Sequence, residues 1–202
     1  PDIIYNVING REELPVNAVF SRASAATYVD KNRILQTAQT NVPRFAHDPD
    51  TGEFLGLQLE DSATNIILSS EDFTTLDWEK TSSGTGSNPV VDANIAIAPD
   101  GTQTADRIVF NTGSSSDAGT RSVIIQRGDF SNSTLGCLSI YLKGASGGEQ
   151  VVIRSVGGNN YSLLTLTAKW KRYAINEKSI TSDSAKYLAE FGIRQSAGSF
   201  GV

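Results

Sequence analysis

Residues 138–143 read Leu-Ser-Ile-Tyr-Leu-Lys. In an extended chain Leu138, Ile140 and Leu142 share one face, and Ser139, Tyr141 and Lys143 share the other. A period of two over a short run bounded by Gly136 and Gly144 is the mark of a half-buried strand. Such a strand needs a sheet with one dry face and one face left for solvent or ligand. The rest of the fold is read outward from this stretch.

The neighbouring sequence repeats the pattern. From about residue 90 the runs are VVDANIAIA (90–98), TADRIVF (104–110), RSVIIQR (121–127), CLSIYLKG (137–144), QVVIRSV (150–156), YSLLTLT (161–167), KRYAINE (171–177) and YLAEFGIR (187–194). Gly, Ser, Asn or Asp separates them. In QVVIRSV, Val151 and Ile153 face one way, and Val152 and Arg154 the other. Helical spacing is weak throughout; its best case, DSAKYLAEF (183–191), still reads better as strand. Many short strands at regular spacing give an all-β fold, an antiparallel β-sandwich of jelly-roll type. The expected division is a small β-hairpin-rich segment, 1–65, then a sandwich, 66–202. Phe200-Gly201-Val202 reads as the start of another strand, because a sandwich ending here would expose an edge. The chain also begins with Pro1 and has no Met. Either the initiator was removed or this is a fragment; from the abrupt end the expectation is a longer natural chain, with the sandwich truncated at its C-terminal end.

The N-terminal part is denser in charge. Residues 43–65, PRFAHDPDTGEFLGLQLEDSATN, hold the single His of the chain with three Asp, two Glu and one Arg. Asp48-Pro49-Asp50-Thr51-Gly52 is turn chemistry: Pro presets φ, Asp bonds the local backbone and Gly supplies positive φ at the exit. His47 is placed in that turn. Leu55, Leu57 and Leu59 alternate, as on a half-buried strand. Upstream, Thr27-Tyr28-Val29-Asp30, Lys31-Asn32 and Arg33-Ile34-Leu35 read as strand, turn and strand. Downstream, SSEDFTTLDWEK (69–80) reads as a brief capped turn anchored by Phe73 and Trp78, and Thr81 to Asn88 as a loop. Trp78 and Trp170 are taken as core or hinge anchors, since Trp is highly buried on average.

Composition narrows the function. Over 202 residues the formal net charge is −5 and the pI about 4.9. Without a basic stripe, nucleic acid is not an expected partner. No apolar run approaches the ~20 residues of a membrane helix, so membrane insertion is not expected. The lone Cys137 excludes an intrachain disulfide framework, and its apolar run makes a buried, inert thiol the expectation.

Catalysis lacks a constellation. Glu53, Glu60, Asp61, Glu71 and Asp72 offer carboxylate pairs, but none at a spacing that defines glycosidase chemistry. His47 has no nucleophile motif beside it, and no His/Cys pair has zinc-ligand spacing. The chain is read as not an enzyme, with no metal site and no cofactor. A structural Ca²⁺ on Asp92, Asp100 and Asp106 is left open, since such sites also draw on backbone oxygens.

Several stretches carry a family likeness. FSRASAATYVD (20–30), NVPRFAHDPDTGEFLGLQLEDSATNIILSSEDF (41–73) and WEK (78–80) resemble a pattern found in bacteriophage tail and tail-fibre proteins. IAPDGTQTADRIVF (97–110) and KWKRY (169–173) are similar to the carbohydrate-binding-module-like jelly roll that follows it there. The likeness departs at Ser62-Ala63, where the family carries a charged or amide residue and Arg, and at the missing final strand. It implies a structural virion component, a tail fibre or related tail protein, located in the extracellular virion tail. It also implies a part in host-surface attachment, with other virion tail proteins as partners and a homotrimeric assembly; the likeness does not give the ligand, and a host surface polysaccharide is an analogy of fold. The alternative is a structural joint or adaptor without ligand. Sugar binding needs an aromatic platform and planar hydrogen-bonding groups on an exposed face. The candidates are Tyr141, Arg154, Asn159, Asn160 and Tyr161. For Gly157-Gly158-Asn159-Asn160, plain hairpin-turn chemistry stands beside that reading.

Overall fold

The computed structural model describes residues 12–61, 64–114, 117–128, 134–155, 161–180 and 187–195. These are strands, turns and bends, with no helix among the described residues. The chain divides into two compact units, Pro1–Asn65 with Ile97–Thr102, and Ile66–Ala96 with Gln103–Val202.

The first unit is built from two antiparallel hairpins. Strand β1 (Ala26–Val29) pairs with β2 (Leu35–Ala38), and β3 (Phe45–His47) with β4 (Phe54–Leu57). Asp30 makes the first turn: its carboxylate accepts from the backbone N–H of Asn32 (2.8 Å) and Ile34 (2.9 Å) and from the Gln36 amide (3.0 Å). Asp48 makes the second in the same way, accepting from the N–H of Asp50 (2.9 Å) and Thr51 (2.7 Å). Both are side chains imitating a backbone acceptor. Two arginines hold the hairpins. Arg22 donates to the carbonyls of Ser24, Ala38 and Gln39. Arg44 is buried and donates to the Thr27 carbonyl (3.0 Å) and to Glu60 (2.9 Å).

Two expectations for this unit are corrected. Leu55 does not alternate inward with Leu57. The ladder slips between Ala46 and His47, and Gly56 has φ 110°. Leu55 is the extra residue of a β-bulge and faces solvent, while Leu57 is buried. His47 is not a turn residue on the wet side but the buried last residue of β3. Its ring lies 5.3 Å from that of Phe54, and its Nε2 is 3.4 Å from Glu12.

The second unit carries a five-stranded antiparallel sheet in the order β11 (Ser162–Thr165), β10 (Gln150–Ser155), β13 (Tyr187–Arg194), β8 (Arg121–Arg127) and β5 (Glu79–Ser83). Two further antiparallel pairs are β6 (Ser87–Ala96) with β7 (Ala105–Asn111) and β9 (Thr134–Leu142) with β12 (Lys171–Ile180). All of the long runs read from sequence are strands. The stretch read as a loop, Thr81 to Asn88, is instead the end of β5, a turn and the start of β6. Ladder bonds to β8 decide this: Thr81, Ser82 and Ser83 pair with Val123, Ser122 and Arg121. Pro89 is tolerated in β6 because the register shifts between Ser87 and Val90.

The core lies on one face of the five-stranded sheet. Trp78, Ile124, Ala189 and Phe191 are buried together, with Ile67, Phe73, Val91, Ile108, Phe110, Leu138 and Ile140 packed against them. The antiparallel layers thus meet face to face as a sandwich expects. Trp78 is the anchor read from sequence: its ring is 4.9 Å from Phe73 and 5.5 Å from Phe191, and its indole N–H donates to the Ser69 carbonyl (3.0 Å). Lys80 shares this side of the sheet. Burial lowers its pKa, against the opposing pull of Asp72 and Asp106, and its ammonium donates to the Thr75 carbonyl.

The alternation in 138–143 has a further consequence. With Leu138 and Ile140 inward, Cys137 points outward and is exposed, not buried as its apolar neighbours suggest.

Candidate functional site

The opposite face of the five-stranded sheet is where the structure departs most from expectation. Val152 and Arg154 alternate away from the core, so solvent is expected there. Both are buried, as are Val151 and Ile153. Arg154 stands directly across from Glu190, and Glu190 across from Ile125. Cross-strand partners share a face, so these side chains form one row.

Glu190 is 0 % exposed and lies between two guanidinium groups. Its Oε1 accepts from Arg194 Nε at 2.7 Å and is ion-paired with Nη2 at 2.5 Å. Its Oε2 lies 3.4 Å from Arg154 Nε, an ion pair outside hydrogen-bonding geometry. A carboxylate without water needs such compensation, because an uncompensated buried charge costs several kcal/mol (roughly).

Tyr161 completes the arrangement. Its ring centroid lies 4.5 Å from the Arg194 guanidinium carbon and 5.3 Å from that of Arg154. These are cation–π distances. Tyr161 is 37 % exposed, so the cluster runs from a dry carboxylate to an aromatic ring at the surface. A third arginine adjoins it: Arg121 is directly opposite Arg194 in the ladder.

Of the candidates read from sequence, Arg154 and Tyr161 are brought together. Asn159 and Asn160 lie outside the described residues. Tyr141 belongs elsewhere, half-buried on the outward side of β9, across from Arg172 in the ladder. Burial raises its hydroxyl pKa, with the Arg172 charge acting in the opposite sense. Sequence reasoning missed Glu190, Arg194 and Arg121. A signal existed in YLAEFGIR: a carboxylate and an arginine four apart on a strand share a face, and Gly192 between them contributes no side chain.

The carboxylates considered for Ca²⁺ each have a local protein partner. Asp92 pairs with Arg107 (2.5 Å), Asp100 accepts from Thr102, and Asp106 accepts from the N–H of Phe73 and Asn94. Among the described residues no group of three or more His, Cys, Asp or Glu could hold a metal ion. No described helix is long and apolar enough to cross a membrane.

The geometry defines an antiparallel all-β chain with a buried arginine–glutamate–arginine cluster under a surface tyrosine. No protein-family model, curated protein or solved structure matches the chain.

Proposed function

We propose that this chain is a non-enzymatic virion component, part of a bacteriophage tail fibre or related tail protein, acting in host-surface attachment through glycan binding. The likeness of residues 20–30, 41–73 and 78–80 to tail proteins supports the setting. The observation that carries the binding reading is Tyr161, exposed and seated on Arg154 and Arg194. An exposed ring beside a fixed, partly exposed guanidinium, that of Arg194, supplies the groups saccharide recognition uses. Their positions are set by Glu190 before any ligand arrives, which lowers the ordering cost of binding. Other tail proteins are the partners in this reading, and the assembly is a homotrimer.

A glycan-array screen of the purified chain tests it. The chain is expected to retain at least one glycan, Tyr161→Ala to lose it, and Tyr141→Ala to keep it. A folded sample that retains no glycan overturns the binding reading.

A second reading, a structural joint without ligand, is favoured by one observation. In the first unit Val16 is 101 % and Val19 95 % exposed, and Val42 and Leu55 are exposed as well. Apolar side chains left in water are suited to cover by another chain. Sedimentation with hydrogen exchange tests this reading: an oligomer protected at residues 16–19 supports it, and a monomer exchanging freely there speaks against it.

A further inference from the structure

We infer that the surface at Arg194 and Arg121 takes the carboxylate of an acidic saccharide, which rests on the glycan-attachment reading above and narrows it to one ligand class. The argument is one of charge. Three guanidinium groups, Arg121, Arg154 and Arg194, project from one face of neighbouring strands, and the carboxylate set among them is Glu190. Glu190 divides its two oxygens between Arg154 and Arg194. Arg121 gets neither, although it stands directly across from Arg194. Like charges directly opposite in a ladder are destabilising. The other carboxylate on this face, Glu79, is paired with Arg127, so on a chain of formal net charge −5 the Arg121–Arg194 end is locally cationic.

Arg121 is the second observation. Its Nε is buried and has no hydrogen-bond partner. That atom is closed to a surface ligand, so a carboxylate meets Arg121, half-buried as a residue, through the Nη edge of its guanidinium. A guanidinium presents planar paired donors, which match a carboxylate two-to-two. A neutral sugar could supply hydrogen bonds to Arg121 and Arg194 but would leave their mutual repulsion in place. A uronate or sialate carboxylate does both. Glu190 anchors the rear of Arg194, and Tyr161 covers its guanidinium, so Arg194 is held rather than left to search.

The test titrates the full chain with uronate- and sialate-containing oligosaccharides, each beside its carboxyl-reduced form. At least one acidic form is expected to bind roughly tenfold or more tighter than its reduced partner, the worth of one charge-assisted pair. Arg121→Gln leaves the Glu190 ion pairs intact and is expected to remove that preference. Arg121→Lys keeps the charge, loses the fork and is expected to restore part of it. Unfolding curves confirm that each variant is folded. If reduced and acidic forms bind alike, or Arg121→Gln leaves the preference unchanged, the inference falls and glycan attachment stands. If neither form of any saccharide binds, both fall.

Discussion

Arg194 folds back along its own strand to Glu190, four residues earlier, and sets both Nε and Nη2 on the single oxygen Oε1. Strand geometry puts their Cα atoms about 13 Å apart on one face, so both side chains must extend toward each other. The residue between them on that face is Gly192, whose added Cβ would come within 2.3 Å of the Ser122 carbonyl oxygen. Removing Glu190 takes a fully buried carboxylate away from both Arg194 and the buried Arg154. Glu190→Ala is expected to cost about 3–5 kcal/mol in urea unfolding. The double variant Arg154→Met with Glu190→Leu is expected to cost less than Glu190→Ala alone, since it removes both charges of that buried ion pair and fills their space with apolar atoms. Equal losses would refute that account of the cluster.

The aromatic core is expected to be less forgiving than its size suggests. Phe191 meets Phe73 edge-on at 5.4 Å and Trp78 at 5.5 Å, all in contact with the sheet. Phe191→Ala is expected to lose about 3–5 kcal/mol, from transfer and cavity terms together. Phe73→Ala, at a half-buried site, is expected to lose less. The ranking is read from chemical denaturation midpoints at unchanged m value.

Acid should loosen the first hairpin. Burial raises the Asp30 pKa, but the N–H of Ile34, the Gln36 amide and the N–H of Asn32 outweigh it and hold the group below 3.8. A depressed carboxylate contributes stability that is present above its unfolded pKa. That stability is lost as pH falls through the lower folded value. The turn is thus expected to hold at neutral pH and to weaken below about pH 3.8. Carboxyl NMR titration reads the shift directly. Asp30→Asn is expected to flatten the acid limb of the stability profile.

Cys137 faces outward on β9, so it is expected to react with a thiol-specific reagent in the folded state. Labelling at one equivalent without denaturant is the expected result. Protection until unfolding would place the side chain inside instead.

The strands were legible because alternation and turn residues report directly on an extended backbone. The errors fall where a local pattern met a non-local fact. Leu55 fits its alternation in the sequence, but a bulge at Leu55 itself shifts the register, and bulges leave no mark in apolar spacing. Cys137 lies in an apolar run, yet Leu138 fixes the phase, and the phase outranks the neighbourhood. Thr81 and Ser82 look like loop residues; the ladder of β8 makes them strand. Arg154 alternates toward solvent on paper and is buried, because a carboxylate 36 positions later in sequence stands opposite it. That pairing is a matter of strand order, which no single run contains.

Gln126 has a role of a different kind. Its amide oxygen accepts from the Leu68 N–H at 2.7 Å, and its amide nitrogen donates to the Leu68 carbonyl at 2.8 Å. One side chain therefore does for residue 68 what a neighbouring strand would do with its backbone. The two ends of that grip are chemically unlike, so it has a direction and a lifetime. Hydrolysis of this one amide would replace the donor with an oxygen facing an oxygen. Residue 68 would lose that grip with every peptide bond intact, and the change would appear as a mass gain at Gln126 alone.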